Sequence, residues 1–186
     1  MSRRLFLLAA GLVAAAAFAP RVARTARAAQ GSAHAFSFEN IDGGPLNLSD
    51  FAGRPMLVVN TASRCGFTPQ YDQLQAVWSR FRDRGLVVLG VPSNDFRQEL
   101  ASEAAVRDFC ETNFGIDFPM TTITRVTGRD AHPFYAWIGE ALGQPRWNFH
   151  KYLVDGDGRP VAAFPTGTRP DAPEVIAAIE KLLPST

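Results

Sequence analysis

Two short runs of consecutive apolar residues constrain the fold of this chain more than any other feature. The runs occupy residues 56–60 and 86–91, and turn or loop residues bound each of them. Continuous hydrophobicity, as opposed to alternation, is typical of strands that are buried on both faces of a parallel sheet. An amphipathic segment lies between the runs and can supply the crossover that parallel strands need. We therefore expect a β-α-β unit within an α/β domain.

The rest of the chain extends this pattern into one domain. Turn residues and helical periodicity predict strands at 35–41 and 45–48, a helix from Pro69 to near Gly85, a helix at 103–114, a strand at 120–126, a helix at 133–142, strands at 147–154 and 160–164, and a helix at 172–183. A β-α-β start and a β-β-α finish match the thioredoxin-like arrangement. The expected fold class is therefore α/β, with a central mixed sheet flanked by helices and an N-terminal β-hairpin.

The first 28 residues form a separate segment. Arg3 and Arg4 precede an apolar run from Leu5 to Ala19, which Pro20 ends. That run is shorter than the ~20 residues that a membrane span needs. A charged head, an apolar middle and a small-residue end indicate a signal peptide. The Arg-Arg pair followed by Leu-Phe-Leu resembles the twin-arginine type. We expect cleavage after residue 28, a periplasmic domain at 29–186 and no stable membrane insertion; an uncleaved anchor is the alternative.

The charge of the remaining chain excludes one class of partner. Residues 1–28 hold five arginines and no acid, so the remainder carries 14 basic and 18 acidic side chains, a formal net charge of −4. No basic patch indicates nucleic-acid binding. The histidines, which lie at positions 34, 132 and 150, share no ligand spacing with the cysteines, so neither a metal nor another cofactor is expected.

The chain has two cysteines, Cys65 and Cys110. In an exported protein such a pair suggests a disulfide, either structural or catalytic. Cys65 follows a predicted buried strand and precedes a predicted helix, and a helix N-terminus favours a thiolate. The backbone N–H groups of Gly66 and Phe67 are expected to point at its sulfur. An inert core cysteine is the alternative, since free cysteine is often buried.

Three stretches together resemble the glutathione peroxidase family. They are VVNTASRCGFTPQY at 58–71, LGVPSNDF at 89–96 followed by Gln98-Glu99, and WNFHKYLVD at 147–155. A fourth and weaker match, from Phe109-Cys110 to Phe118-Pro119, resembles the branch that forms an internal disulfide. The resemblance covers about residues 36–183 in the family's order. It implies a peroxidase whose attacking thiol is Cys65.

The resemblance also implies a catalytic tetrad. Gln98, Trp147 and Asn148 would join Cys65 and offer amide and indole N–H donors to the thiolate and to the departing oxygen. The chain departs from the family around Gln98. Where the family has Phe, two residues and then Gln-Glu-Pro, this chain reads Phe96-Arg97-Gln98-Glu99-Leu100, one residue shorter and without the proline.

The family further implies a reaction cycle. Peroxide converts Cys65 to a sulfenic acid, Cys110 resolves it as an internal disulfide, and a thioredoxin-like protein or glutathione restores the thiols. Cys110 as core filler or as a permanent structural bridge stays open. Only residues 143–146 separate the third helix from Trp147, where tetrameric members carry a long insertion, so a monomer is expected.

Three other functions also use thiols in a fold of this kind. A thioredoxin-like disulfide exchanger needs Cys-x-x-Cys, but Cys65-Gly66-Phe67-Thr68 lacks the second cysteine. Peroxiredoxins place Thr three residues and Pro seven residues before the thiol, whereas Thr61 lies four before and Val58 seven before. A redox relay that passes oxidation from Cys65 to a partner uses the same thiols, and the sequence leaves it open.

Overall fold

A four-stranded mixed sheet forms the centre of the molecule. The computed structural model describes residues 31–184. The strand order is β4-β3-β5-β6, and the strands are β3 (Met56–Thr61), β4 (Val87–Pro92), β5 (Lys151–Val154) and β6 (Pro160–Phe164). β3 runs parallel to β4 and antiparallel to β5, and β6 is antiparallel to β5. A separate hairpin pairs β1 (Ser37–Glu39) with β2 (Pro45–Asn47). This is the expected thioredoxin-like fold.

Within residues 31–184, four α-helices cover the sheet, and their ends carry the expected signals. They are α1 (Gln70–Phe81), α2 (Glu103–Phe114), α3 (Pro133–Leu142) and α4 (Pro173–Glu180). Ser102 caps α2 by accepting the Ala105 N–H at 3.3 Å, and Gly115 ends it in the left-handed region with φ 58°. Proline at the first position of α3 and of α4 costs no hydrogen bond, because that N–H has no partner within a helix.

Strand β3 separates two hydrophobic cores. Its Leu57 and Val59 face one core, and its Met56 and Val58 face the other, as strand alternation requires. The first core packs the apolar faces of α1, α2 and α4 against the sheet, and the second packs α3 and the hairpin. All six residues of β3 are buried, which accounts for the continuous apolar run in the sequence.

The prediction of a strand at 120–126 is wrong. Met120 forms a single parallel bridge with Gly90, and Thr121 forms a single antiparallel bridge with Asn40. The Thr121 N–H also donates to the Gly90 carbonyl at 2.9 Å, but no continuous ladder with β4 follows. The Thr121 and Thr124 hydroxyls both donate to the Thr122 carbonyl at 2.8 Å. Threonine hydroxyls that bond nearby backbone compete with ladder pairing. Here the segment keeps isolated bonds to β4, such as the one from the Thr124 N–H to the Pro92 carbonyl at 2.8 Å, without forming a strand.

The predicted strand 147–154 begins only at Lys151. The reason is Phe149, whose φ of 59° lies in the left-handed region that an extended strand cannot contain. Residues 147–150 therefore form an irregular segment that enters β5, which places Trp147 and Asn148 at a bend beside the end of β3. No helix within residues 31–184 is long and apolar enough to cross a membrane. The predicted signal peptide lies outside the described residues.

Candidate active site

Cys65 lies in the connection between β3 and α1. Strand β3 ends at Thr61, and four residues separate Cys65 from Gln70, where α1 begins. Cys65 is 7% exposed and therefore buried, and neither cysteine is in a disulfide. The site thus occupies the carboxyl end of a central strand, where open α/β sheets gather their functional residues.

Two groups of the connection hold Cys65. The Phe67 backbone N–H donates to the Cys65 sulfur, with 3.4 Å between nitrogen and sulfur. The expected Phe67 contact is therefore present, and no corresponding bond from Gly66 occurs among the described residues. The buried Thr68 hydroxyl accepts the Cys65 N–H at 3.0 Å and donates to the Ala62 carbonyl at 2.9 Å. This hydroxyl closes the loop around the thiol, and the sequence interpretation gave it no role.

Gln98 and Asn148 are brought together. The Asn148 side-chain amide donates to Gln98 Oε1 at 2.9 Å. The Gln98 carbonyl accepts the Arg64 N–H at 2.9 Å, which fixes the Gln98 segment to the residue before Cys65. The shortened run before Gln98 closes by a turn in which Arg97 adopts φ 60° and donates its N–H to the Asn94 carbonyl. The missing residue therefore does not separate Gln98 from Asn148.

Trp147 lies at the rim of this group. Its ring packs against Phe96 with 5.3 Å between centroids, and its carbonyl accepts the Asn60 side-chain amide at 3.1 Å. Trp147 is 40% exposed and Phe67 is 39% exposed. Among the described residues, no hydrogen bond joins the Trp147 indole, Gln98 or Asn148 to the Cys65 sulfur. The resting site therefore contains the four proposed groups as neighbouring segments, without a direct bond between the thiol and the other three side chains.

A buried carboxylate lies directly behind the Cys65 loop. Glu99 Oε1 accepts the Ser63 N–H at 3.0 Å and the Leu100 N–H at 2.7 Å. The other oxygen, Oε2, is buried and has no hydrogen-bond partner among residues 31–184. Burial raises the pKa of Glu99, and the hydrogen bonds from Ser63 and Leu100 oppose that rise. The sequence interpretation quoted Glu99 only as part of a motif.

A buried lysine forms hydrogen bonds with segments that adjoin the site. Lys151 Nζ donates to Gln70 Oε1 at 2.6 Å and to the carbonyls of Thr168 at 2.5 Å and Thr166 at 3.3 Å. The Thr166 hydroxyl in turn donates to the Asn148 carbonyl at 2.7 Å. Burial lowers the pKa of Lys151 to about 7. Lys151 therefore joins the start of α1 to the segment that holds Asn148, another contact that the sequence interpretation missed.

Cys110 lies on the inward face of α2 and is 1% exposed. Burial raises the pKa of its thiol to about 11. The nearby Tyr71 hydroxyl opposes that rise, and the Glu99 and Glu111 charges add to it. Cys65, Tyr71 and Cys110 belong to one hydrophobic core. The second thiol is thus on the same side of the sheet as the first, but it is protonated and covered in this state.

Within residues 31–184, no group of three or more His, Cys, Asp or Glu side chains could hold a metal ion. The residues described above offer a thiol with amide, indole and hydroxyl groups in the neighbouring segments.

The comparisons with known proteins agree on one family. The family model described as glutathione peroxidase matches residues 33–139. Hydroperoxy fatty acid reductase gpx1 of Synechocystis sp. is 43% identical over 167 residues, which cover 83% of this chain and 98% of that protein. The glutathione peroxidase-like peroxiredoxin GPX5 of Chlamydomonas reinhardtii is 40% identical over 158 residues, covering 81% and 95%.

The solved structures agree with this relationship. The crystal structure of Trgpx in its apo form has a TM-score of 0.65 and 31% identity, and the match covers 84% of this chain and all of that one. A DsbF homologue from Corynebacterium diphtheriae, at 21% identity and a TM-score of 0.61, shares the thioredoxin-like fold. Its identity is too low to carry more than that. The described site, the family model and the relatives lead to one conclusion: this chain belongs to the glutathione peroxidase family and is a thiol-dependent hydroperoxide reductase.

Proposed function

We propose that Cys65 is the thiol that reduces hydrogen peroxide and organic hydroperoxides in this enzyme. The observation that carries the assignment is the placement of the Cys65 sulfur just before α1, where it accepts the Phe67 N–H at 3.4 Å. A thiolate is the reactive form, and both that N–H and the positive end of the helix favour it.

The first step is a displacement at oxygen. The Cys65 thiolate attacks the nearer peroxide oxygen, an S–O bond forms as the O–O bond breaks, and the departing oxygen leaves as water or alcohol after taking a proton. Gln98 supports this departure, because its side-chain N–H₂ makes no other hydrogen bond within residues 31–184 and can donate to the developing charge. Asn148 holds Gln98 in place through its 2.9 Å bond. The Trp147 indole N–H is the second donor to the departing oxygen.

The second step is resolution by Cys110. Its thiol attacks the Cys65 sulfenic sulfur, which gives an internal disulfide and water. A disulfide requires the two Cα atoms to approach within about 7 Å, and Cys110 is 1% exposed on a formed helix, so α2 must open locally. A thioredoxin-like protein then reduces the disulfide, with glutathione as the alternative donor. The second cysteine supports the first of these donors, because an internal disulfide is opened by exchange with a dithiol protein.

The surface around Cys65 favours organic hydroperoxides. Phe67 and Trp147 are two of three large apolar side chains that stand out as exposed in residues 31–184. Both adjoin the site, and exposed aromatics beside a reactive group suit an apolar ligand. The Synechocystis relative is named for hydroperoxy fatty acids, which supports the same substrate class here.

We also propose that the enzyme is a periplasmic monomer. The twin-arginine-like segment at 1–28 supports export, and the short connection at 143–146 supports the monomer by analogy with the family. Fractionation of cells and mass mapping of the mature N-terminus test the location, with a start at residue 29 expected. Recovery of the intact N-terminus in the cytoplasm would contradict export.

The test of function is steady-state peroxide consumption by the wild type, Cys65→Ser and Cys110→Ser, with thioredoxin or glutathione as donor. We expect no turnover in Cys65→Ser and loss of the thioredoxin-supported rate in Cys110→Ser. Normal turnover in Cys65→Ser contradicts the assignment, and normal thioredoxin turnover in Cys110→Ser contradicts the internal disulfide.

A redox relay is the second candidate, favoured by the burial and raised pKa of Cys110, which would prolong the life of a Cys65 sulfenic acid. A relay would show one oxidation per protein and little steady-state rate.

A further inference from the structure

Lys151 is a fully buried lysine that no carboxylate neutralises. It is 0% exposed and takes part in no salt bridge within residues 31–184. Burying an ammonium group costs free energy unless hydrogen bonds replace the water that it loses. An apolar side chain at the first position of β5 would avoid that cost. The hydrogen bonds of Lys151 therefore indicate what the group is used for.

These hydrogen bonds converge on the turn that follows β6. Lys151 Nζ donates to the carbonyls of Thr166 and Thr168 at 3.3 and 2.5 Å, and to Gln70 Oε1 at 2.6 Å. The Gln70 side-chain amide in turn donates to the Thr166 carbonyl at 2.8 Å. An ammonium group has three N–H donors, and here three acceptors lie within hydrogen-bond distance of it. The turn at residues 166–168 is thus held by a buried side chain and not by strand pairing.

The turn reaches the candidate active site through one hydroxyl. The Thr166 hydroxyl donates to the Asn148 carbonyl at 2.7 Å, and the Asn148 side-chain amide donates to Gln98 Oε1 at 2.9 Å. A chain of hydrogen bonds therefore runs from Lys151 through Thr166 and Asn148 to Gln98. Among the described residues, no hydrogen bond joins Lys151 to Cys65.

The bend that carries Asn148 depends on such contacts. Phe149 holds φ 59°, a backbone conformation that is unfavourable for a residue with a side chain. The Asn60 side-chain amide donates to the Trp147 carbonyl at 3.1 Å, and the Phe149 N–H donates to the Asn60 carbonyl at 2.6 Å. Asn60 thus holds the bend on either side of Asn148, whereas the Asn148 carbonyl is held by Thr166. Loss of the Thr166 bond should therefore allow Asn148 to shift.

We propose that Lys151 is a positioning residue for the peroxide step: it holds the Thr166 turn so that Asn148 keeps the Gln98 amide beside the departing oxygen. The proposal rests on the proposed function, in which Gln98 donates to that oxygen. Lys151 neither gives nor takes a proton in this role, and no bond to it forms or breaks. Its effect is geometric, and a displacement of about 1 Å in a group that meets the transition state can slow a reaction about 100-fold.

Two variants interrupt this chain of hydrogen bonds at different points. Lys151→Met removes the amino group and keeps an unbranched, flexible side chain. Thr166→Val removes one hydroxyl, keeps the shape of the side chain and leaves the Thr166 carbonyl available to Lys151, so it tests the proposal even if Lys151→Met does not fold. Lys181→Met is the matched control, because Lys181 is the only other lysine of the chain and is exposed just after α4.

The experiment separates the peroxide step from the reactivity of the thiol itself. Stopped-flow tryptophan fluorescence gives the second-order rate constant of Cys65 oxidation by hydrogen peroxide. Alkylation by iodoacetamide, located by mass spectrometry, reports on the same thiolate but releases iodide and needs no donor to a departing oxygen. We expect Lys151→Met and Thr166→Val to lower the peroxide rate constant about tenfold and to alkylate within about twofold of the wild type. Lys181→Met should match the wild type in both reactions.

A double-mutant cycle tests the route through Asn148. In an Asn148→Ala background, Lys151→Met and Thr166→Val should slow the peroxide step by less than about twofold further, because the link to Gln98 is already lost. Three results overturn the proposal: a further loss of about tenfold in that background, an equal loss of the peroxide and alkylation rates, or a wild-type peroxide rate in either single variant. Peroxide consumption that persists in Cys65→Ser overturns the proposed function and this inference together.

Discussion

Replacing Thr68 by valine tests how the loop around Cys65 is held. The change keeps the shape of the side chain but removes a buried hydroxyl that bonds the Cys65 N–H at 3.0 Å and the Ala62 carbonyl at 2.9 Å. Both backbone groups would be left without partners in a buried loop. An unsatisfied buried polar group costs about 1–3 kcal/mol, so loss of both hydrogen bonds should lower the free energy of unfolding by about 3 kcal/mol. For a domain of this size, that corresponds to a fall in Tm of roughly 10 °C.

The same change should slow the reaction with peroxide. Because the Thr68 hydroxyl fixes the Cys65 backbone, its loss frees the sulfur from the Phe67 N–H that favours the thiolate. We expect the second-order rate constant of Cys65 oxidation, measured by stopped-flow tryptophan fluorescence, to fall about tenfold, equivalent to about 1.4 kcal/mol.

Thr68→Ser is the matched control. It keeps the hydroxyl and loses one methyl group, which should cost about 0.8 kcal/mol of stability and leave the rate near that of the wild type. Equal stability and rate in the valine and wild-type proteins would refute the reasoning, as would a serine variant as impaired as the valine variant.

Three further changes follow from the same structure. Burial holds the pKa of Lys151 near 7 in the folded protein, against 10.5 for an exposed lysine. Between these pH values the folded protein binds fewer protons than the unfolded chain, so its free energy of unfolding should rise from pH 7 to pH 10.5. In urea titrations, Lys151→Met should abolish that rise. Arg97→Gly should raise the free energy of unfolding by about 0.5–1 kcal/mol, because Arg97 holds φ 60° at an exposed turn. An unchanged or lower midpoint of urea unfolding would argue against backbone strain at this turn. Asn148→Ala should lower kcat/KM about 100-fold, because the Gln98 side chain loses its 2.9 Å hydrogen bond from Asn148. Gln144→Ala, at an exposed position, is the control. Full activity of Asn148→Ala would show that Asn148 does not act in the site.

Much of the fold was predictable because local signals and tertiary demands agree. The continuous apolar runs became β3 and β4, and α2 and α3 have the predicted bounds because Ser102, Gly115 and Pro133 act as helix signals. Prediction failed at 120–126, where Thr121 and Thr124 have strand propensity but use their hydroxyls to bond nearby backbone. Propensity does not reveal which backbone groups a segment will pair with.

The candidate site was predictable only in part. Resemblance supplied Gln98 and Asn148, and the structure joins them, but no periodicity could predict the left-handed Phe149 that places Asn148 at a bend. The position of Lys151 was open to prediction, because a lysine inside a buried strand needs hydrogen-bond acceptors for its ammonium group. The burial of Glu99 was not predictable from the sequence, since an acidic residue in a polar loop is ordinarily exposed.

The most direct test of the account is site-resolved mass spectrometry of the reduced protein after one equivalent of an alkyl hydroperoxide. The account predicts that oxidation appears first at Cys65, as a trapped sulfenic acid, and then as the Cys65–Cys110 disulfide. It also predicts that Cys110 stays reduced in Cys65→Ser. Oxidation that begins at Cys110, or that proceeds at the wild-type rate in Cys65→Ser, would contradict the central claim that Cys65 is the peroxide-reducing thiol.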